Sequence, residues 1–175
     1  STAYLRQHPT TAIATRDIAA SATGTTVADA LGVGPVLRAL HAIESGSCHA
    51  HDFDTVGDEW DIEARAGAEL AAAGLPAIEL DRPIAHLSGG EATLVRLVGV
   101  RLTQANVTLL DEPTNDLDES ARHLLFDYLA TWPAAVVFAS HDRTLLDLAT
   151  TTVELRDGHA RVFPGPWADL QAQIA

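Results

Sequence analysis

The chain has 175 residues, one cysteine, no lysine and no methionine, and its eleven basic against twenty-four acidic residues give a net charge of −13. That length fits one domain, large enough to bury a hydrophobic core without metal or disulfide support, and the single Cys48 excludes an internal disulfide. So acidic a surface repels a phosphate backbone and argues against direct nucleic-acid binding, while the lack of any transmembrane-length apolar run or signal peptide points to a soluble, cytoplasmic setting.

In chain order, Thr2–Leu5 is an apolar run that reads as a strand delivering Gln7 to its end. Thr10–Thr25, rich in Thr, Ala and Ser, reads as a flexible connector. Thr26-Val27-Ala28-Asp29 is a capping box; Pro35 suits a helix's first turn and Gly46 its end. Asp61–Ala73 reads as a further helix, stopped by Gly74 and Pro76. The block 10–86 is therefore expected to be an inserted helical subdomain without a strand, between a 1–9 strand segment and an 87–175 region.

Ser88-Gly89-Gly90-Glu91 combines a capping box with two glycines that leave backbone amides bare at the positive end of a helix. Most capping boxes only start helices, but bare amides there make an anion site. Val107–Leu110 reads as a buried strand, and Asp118 as the N-cap of a helix over Glu119–Ala130 that stops at Trp132-Pro133. Ala134–Ala139 reads as a second buried strand, followed by a short helix near Thr144–Ala149. Thr152–Leu155, Asp157-Gly158 and Ala160–Phe163 read as a hairpin, and Pro164-Gly165-Pro166 leads into a terminal helix. The alternation predicts an α/β fold with a parallel sheet and a C-terminal antiparallel edge.

Ligands of open parallel sheets bind beyond the carboxyl ends of the strands. Three apolar runs deliver polar groups to that position: Gln7, Asp111-Glu112 and Ser140-His141. Neighbouring residues of a strand point to opposite sides, so Asp111 and Glu112 divide the work. One holds Mg²⁺ while the other faces an attacking water.

The order Gln7, Ser88–Glu91, Asp111-Glu112, Asp118, His141 resembles the nucleotide-binding domain of ABC ATPases, a P-loop NTPase-like core. The wording LSGGE, DEPTNDLD and SHDR is similar to the soluble, tandem-domain ABC-F branch. The resemblance implies Gln7 as the Q-loop residue sensing Mg²⁺ and water, and Leu87–Glu91 as the signature motif. It implies Val107–Asp111 as the Walker B strand with Asp111 on Mg²⁺, and Glu112 as catalytic base. Asn115–Asp118 would be the D-loop and His141 the switch histidine. The cofactors implied are ATP and Mg²⁺, and the partner is a second ABC domain whose bound nucleotide Ser88, Gly89 and Gly90 would touch. ABC-F proteins act as ribosome-associated translation or antibiotic-resistance factors. The lysine-bearing GxxxxGK[ST] loop is absent, so this half-site is expected to bind ATP weakly and turn over negligibly.

Other readings stay open at this level. The same motifs occur in ATPase subunits that pair with a transmembrane permease, and in chromosome-maintenance ATPase heads, whose long coiled coils have no heptad counterpart here. A truncated domain serving as an inactive structural or interaction module is the non-enzymatic alternative. Cys48, His49, His51 and Asp52, with His41 nearby, have the chemistry to ligate a metal, but their spacing fits no closed zinc pattern and the segment reads as a loop between helices. Adjacent Ser140, His141 and Asp142 cannot form a hydrolase triad.

Overall fold

The structure, a computed structural model, describes residues 11–14, 25–115 and 117–174. Strands β1 (Thr11–Ala14), β2 (Val107–Asp111) and β3 (Ala135–Ala139) form a parallel sheet with β2 in the centre. Ala14 pairs with Leu110 and Asp111 with Ala139, so all three strands end along one rim. Thr11–Ala14 takes the place beside β2, and the expected strand Thr2–Leu5 lies outside the described residues. The expectation of a strandless connector over Thr10–Thr25 is corrected at the same point. Its Thr and Ala content looks like linker composition, yet Thr-Ala-Ile-Ala also alternates as a strand does.

Helices α1 (Val27–Ala30), α2 (Gly34–Glu44), α3 (Ala50–Val56) and α4 (Ile62–Ala72) build the helical block. Its entry is the expected capping box: Thr26 Oγ1 accepts from the Asp29 amide at 3.2 Å, and the Asp29 carboxylate accepts from the Thr26 amide at 3.2 Å. Helix α3 occupies the stretch expected to be a loop. Only Val56 of α3 is buried, so its sequence carries no apolar stripe to announce a helix.

Helix α5 (Gly89–Leu102) joins this block to the sheet. Leu94, Val95 and Val98 are buried with Val27, Leu37 and Leu70 of the helical block and Leu110 of β2 in one core. A Cβ at Gly99 would come within 3.0 Å of the Leu31 backbone, so a glycine lets α5 lie flat against the end of α1.

Helix α6 (Glu119–Ala130) packs beside α5 and adds Leu125 and Tyr128 to the same core. After β3 come α7 (Arg143–Leu146), β4 (Thr151–Arg156), β5 (His159–Pro164) and α8 (Trp167–Ile174). Strands β4 and β5 pair as a two-stranded antiparallel sheet of their own. Asp157 and Gly158, both at positive φ (50° and 75°), make the tight turn their sequence predicts. β3 is not buried on both faces: Val137 is 57% exposed, on the open face it shares with Ala135 and Ala139.

Candidate functional site

The apolar strand β2 ends in the exposed carboxylate of Asp111 at the sheet rim. Glu112 follows with φ at 45°, a left-handed conformation that costs a non-glycine residue roughly 1–3 kcal/mol. Two backbone bonds hold it there. The Glu112 amide donates to Ala139 O at 2.8 Å, and Glu112 O accepts from the Asn115 amide at 3.1 Å. Sheet pairing thus runs one residue past the end of β2 and brings Glu112 to the end of β3.

There the carboxylate meets the residues that follow β3. His141 Nδ1 lies 2.9 Å from Glu112 Oε2, and Ser140 Oγ donates to the same oxygen at 3.3 Å. The His141 hydrogen bond is the largest influence on Glu112 and holds its carboxyl below the ordinary glutamate range, against the opposing effect of burial. Glu112 is therefore ionised at neutral pH. About a third of its side chain stays open to solvent, so a water molecule can reach it.

The polar chain continues outward. Ser140 Oγ accepts from the Asp142 amide at 3.1 Å, and Asp142 caps α7 by accepting from Thr144 N at 3.0 Å and Leu145 N at 3.3 Å. Leu145, fully buried, anchors that helix. Arg122 of α6 approaches the Asp142 carboxylate at 3.7 Å. Ser140 was expected at the rim beside His141; the part played by Asp142 was not foreseen. The available signal was the cap pattern Asp142-Arg143-Thr144, which fixes where the chain turns after His141.

The glycine-opened helix is built as expected. Ser88 Oγ accepts from the Glu91 amide at 3.2 Å, and Glu91 Oε2 accepts from the Ser88 amide at 2.7 Å. That backbone bond is the largest cause holding the Glu91 carboxyl below its ordinary value. Gly89 faces open space, whereas a Cβ on Gly90 would sit 2.6 Å from the Ala121 Cβ. Asp118 Oδ1 accepts from the Ala121 amide at 2.8 Å, and Leu117 and Thr114 are buried between. The structure thus unites Glu112, Ser140 and His141, and packs Ser88–Glu91 against the turn holding Asn115 and Asp118. Gln7 lies outside the described residues.

Among the described residues the Asp111 carboxylate has no hydrogen-bond or ion-pair partner, so two hard oxygen donors stand free at the rim of a parallel sheet. No three His, Cys, Asp or Glu side chains among the described residues group into a metal site. The donor set fits Mg²⁺ held by one carboxylate together with a ligand's phosphate oxygens and water. Elsewhere, Cys48 Sγ contacts Gly46 O at 3.7 Å, Asp52 accepts from Ser47 Oγ, and His41 faces Glu63 at 3.9 Å. Those groups do not converge.

The fold is that of an ABC ATPase domain. CbiO1 from Clostridium perfringens, part of the ABC transporter complex cbiONQ, matches 94% of the chain with 60% of its own, at a TM-score of 0.64 and 18% identity. MJ1267, an ATP-binding cassette of an ABC transporter, matches 89% of the chain with 61% of its own in its ADP conformation, at a TM-score of 0.61 and 16% identity. A family model described as ABC transporter matches residues 4–115, and the chain belongs to that family. Its curated relatives include the tylosin resistance ATP-binding protein TlrC of Streptomyces fradiae, 43% identical over 59% of this chain and 19% of the relative. The energy-dependent translational throttle protein EttA of Mycobacterium tuberculosis is 37% identical over 63% of this chain and 20% of the relative. The chain spans about a fifth of the length of these relatives.

Proposed function

We propose that the chain supplies the catalytic-base half of an ATP-hydrolysing ABC-F domain. The carrying observation is the Glu112 carboxylate held at the sheet rim by His141 at 2.9 Å and Ser140 at 3.3 Å, one residue beyond Asp111. Bound there, Mg²⁺–ATP supplies the electrophilic phosphorus and the metal's charge neutralisation. Asp111 would hold the metal. Glu112, ionised and partly exposed, accepts the proton of a water that approaches from solvent. His141 keeps that carboxylate oriented, and the order of the motifs gives Gln7 the sensing of Mg²⁺ and water. The bare amides of Gly89 and Gly90 are suited to phosphate oxygens of a nucleotide held by a second ABC domain, with Ser88 and Glu91 fixing the helix start. Asn115 and Asp118 shape the turn between the two.

The ABC-F setting is supported by the relatives, one named for translational throttling and one for tylosin resistance. A ribosomal partner fits those names; the permease-coupled reading draws only on structures at 16–18% identity, which bear on the fold. The test uses the full-length protein that contains this chain. Nucleotide-dependent sedimentation with ribosomes, strengthened by Glu112→Gln, is the expected result. Retention of nucleotide with unchanged turnover in Glu112→Gln would remove Glu112 from its role.

A further inference from the structure

Helix α3 and the turn into α4 carry a feature that nucleotide chemistry does not use. Phe53 and Trp60 are 43% and 54% exposed, and their rings pack at 6.3 Å between centroids in a tilted pair. Two large aromatics presented side by side to solvent form a ready anchor for a protein partner. Their surroundings are strongly charged. From Glu44 to Glu63, both included, the sequence holds seven acidic residues and no Lys or Arg. Arg65 compensates Glu59 at 2.9 Å and Asp61 at 3.3 Å. Asp54 and Asp58 are exposed and have no ion-pair partner among the described residues.

We propose that this face docks a basic, amphipathic segment of a partner protein, which seats apolar side chains on Phe53 and Trp60 and cations beside Asp54 and Asp58. Charge selects the occupant. Nucleic acid or an anionic membrane is repelled here, and an acidic or purely apolar partner would leave the two aspartates desolvated and uncompensated. Lys or Arg side chains also gain from the faces of exposed rings. The inference stands on this face alone and does not depend on the nucleotide reading.

The test uses a fluorescently labelled peptide of Lys and Leu with leucines at helical spacing, and a Lys/Ser peptide of equal charge. Anisotropy titration should show salt-sensitive binding of the Lys/Leu peptide, at least ~10-fold tighter than the Lys/Ser peptide. Phe53→Ser and Trp60→Ser should each weaken it by ~10-fold or more, with circular dichroism confirming that the variants fold. The Asp54→Asn, Asp58→Asn pair changes only exposed charge and should weaken it several-fold while flattening the salt dependence. Leu155→Ser, on the distant hairpin, should bind as the parent does. Equal binding by all variants, loss only in Leu155→Ser, or self-association through Phe53 and Trp60 without peptide would each overturn the proposal.

Discussion

Gly90 touches Ala121: a Cβ built on the glycine would fall 2.6 Å from the alanine Cβ, a separation real methyl groups do not adopt. The first turn of α5 therefore rests directly on the first turn of α6, which Asp118 caps. Gly90 has a packing reason to be glycine, separate from any phosphate contact. Gly90→Ala is expected to cost ~1–3 kcal/mol in urea unfolding, as overpacking does. Adding Ala121→Gly should recover part of the loss, since a helical glycine itself costs up to ~1 kcal/mol. Gly89→Ala faces open space and should leave stability unchanged or slightly raised. Equal unfolding midpoints for the two alanine variants would refute the contact.

The Glu112 site makes a kinetic prediction for the full-length protein. Glu112→Gln should lower turnover by ~10²-fold or more while nucleotide binding persists, because the amide keeps the shape but not the base. Ser140→Ala removes the weaker hydrogen bond at 3.3 Å and should cost less than His141→Ala, which removes the one at 2.9 Å. The order of the two variants in steady-state ATPase assays checks the geometry.

The cap at Ser88 predicts a pH effect with a definite sign. The Ser88 amide holds the Glu91 carboxyl below the ordinary glutamate value of 4.5. A depressed folded-state value contributes stability that is present above 4.5 and is lost as pH falls through the folded value. Glu91→Ala should therefore cost ~0.5–1 kcal/mol at neutral pH, with the gap to the parent closing as the pH drops below 4.5. Unfolding curves of both proteins from pH 7 downward measure it. A constant gap would show that the carboxylate charge is not involved.

Elements with local chemistry were legible in the sequence. Asp118 and Trp132-Pro133 bound a helix whose observed limits, Glu119–Ala130, are those its periodicity predicts. Ser88 and Asp157-Gly158 likewise announce their structures through side-chain caps and turn preferences that act within a few residues. Helix α3 was not legible, because burying Val56 alone leaves no stripe. Nor was β1, whose Thr and Ala residues suit a linker as well as a strand. At the site, paired acids and a following histidine could be read from the strand-end rule. The bond from Ser140 to Glu112 could not, since it spans 28 residues and depends on the register of β2 against β3.

A second long-range node tests how the helical block is tied to the sheet. Arg101, at the end of α5, has its guanidinium 4.7 Å from the Tyr128 ring centroid and 5.7 Å from that of Trp132. Its Nε lies 3.1 Å from Glu69 of α4, and the Tyr128 hydroxyl donates to the same carboxylate at 3.0 Å. Burial, with Glu69's charge, pushes the Tyr128 hydroxyl far above its ordinary range, so it remains a donor throughout the accessible pH range. Three helices thus share one carboxylate. Arg101→Leu leaves Glu69 half-buried with one partner fewer and should cost ~1–3 kcal/mol. Tyr128→Phe removes only a hydroxyl and should cost ~1 kcal/mol. Because both act on Glu69, the double variant should depart from additivity by ~0.5 kcal/mol or more. Arg101→Lys should restore little, since a point charge cannot lie over both rings. Simple additivity across this cycle would mean that the two partners act on Glu69 independently, and α4 would then be held to the core by its apolar face alone.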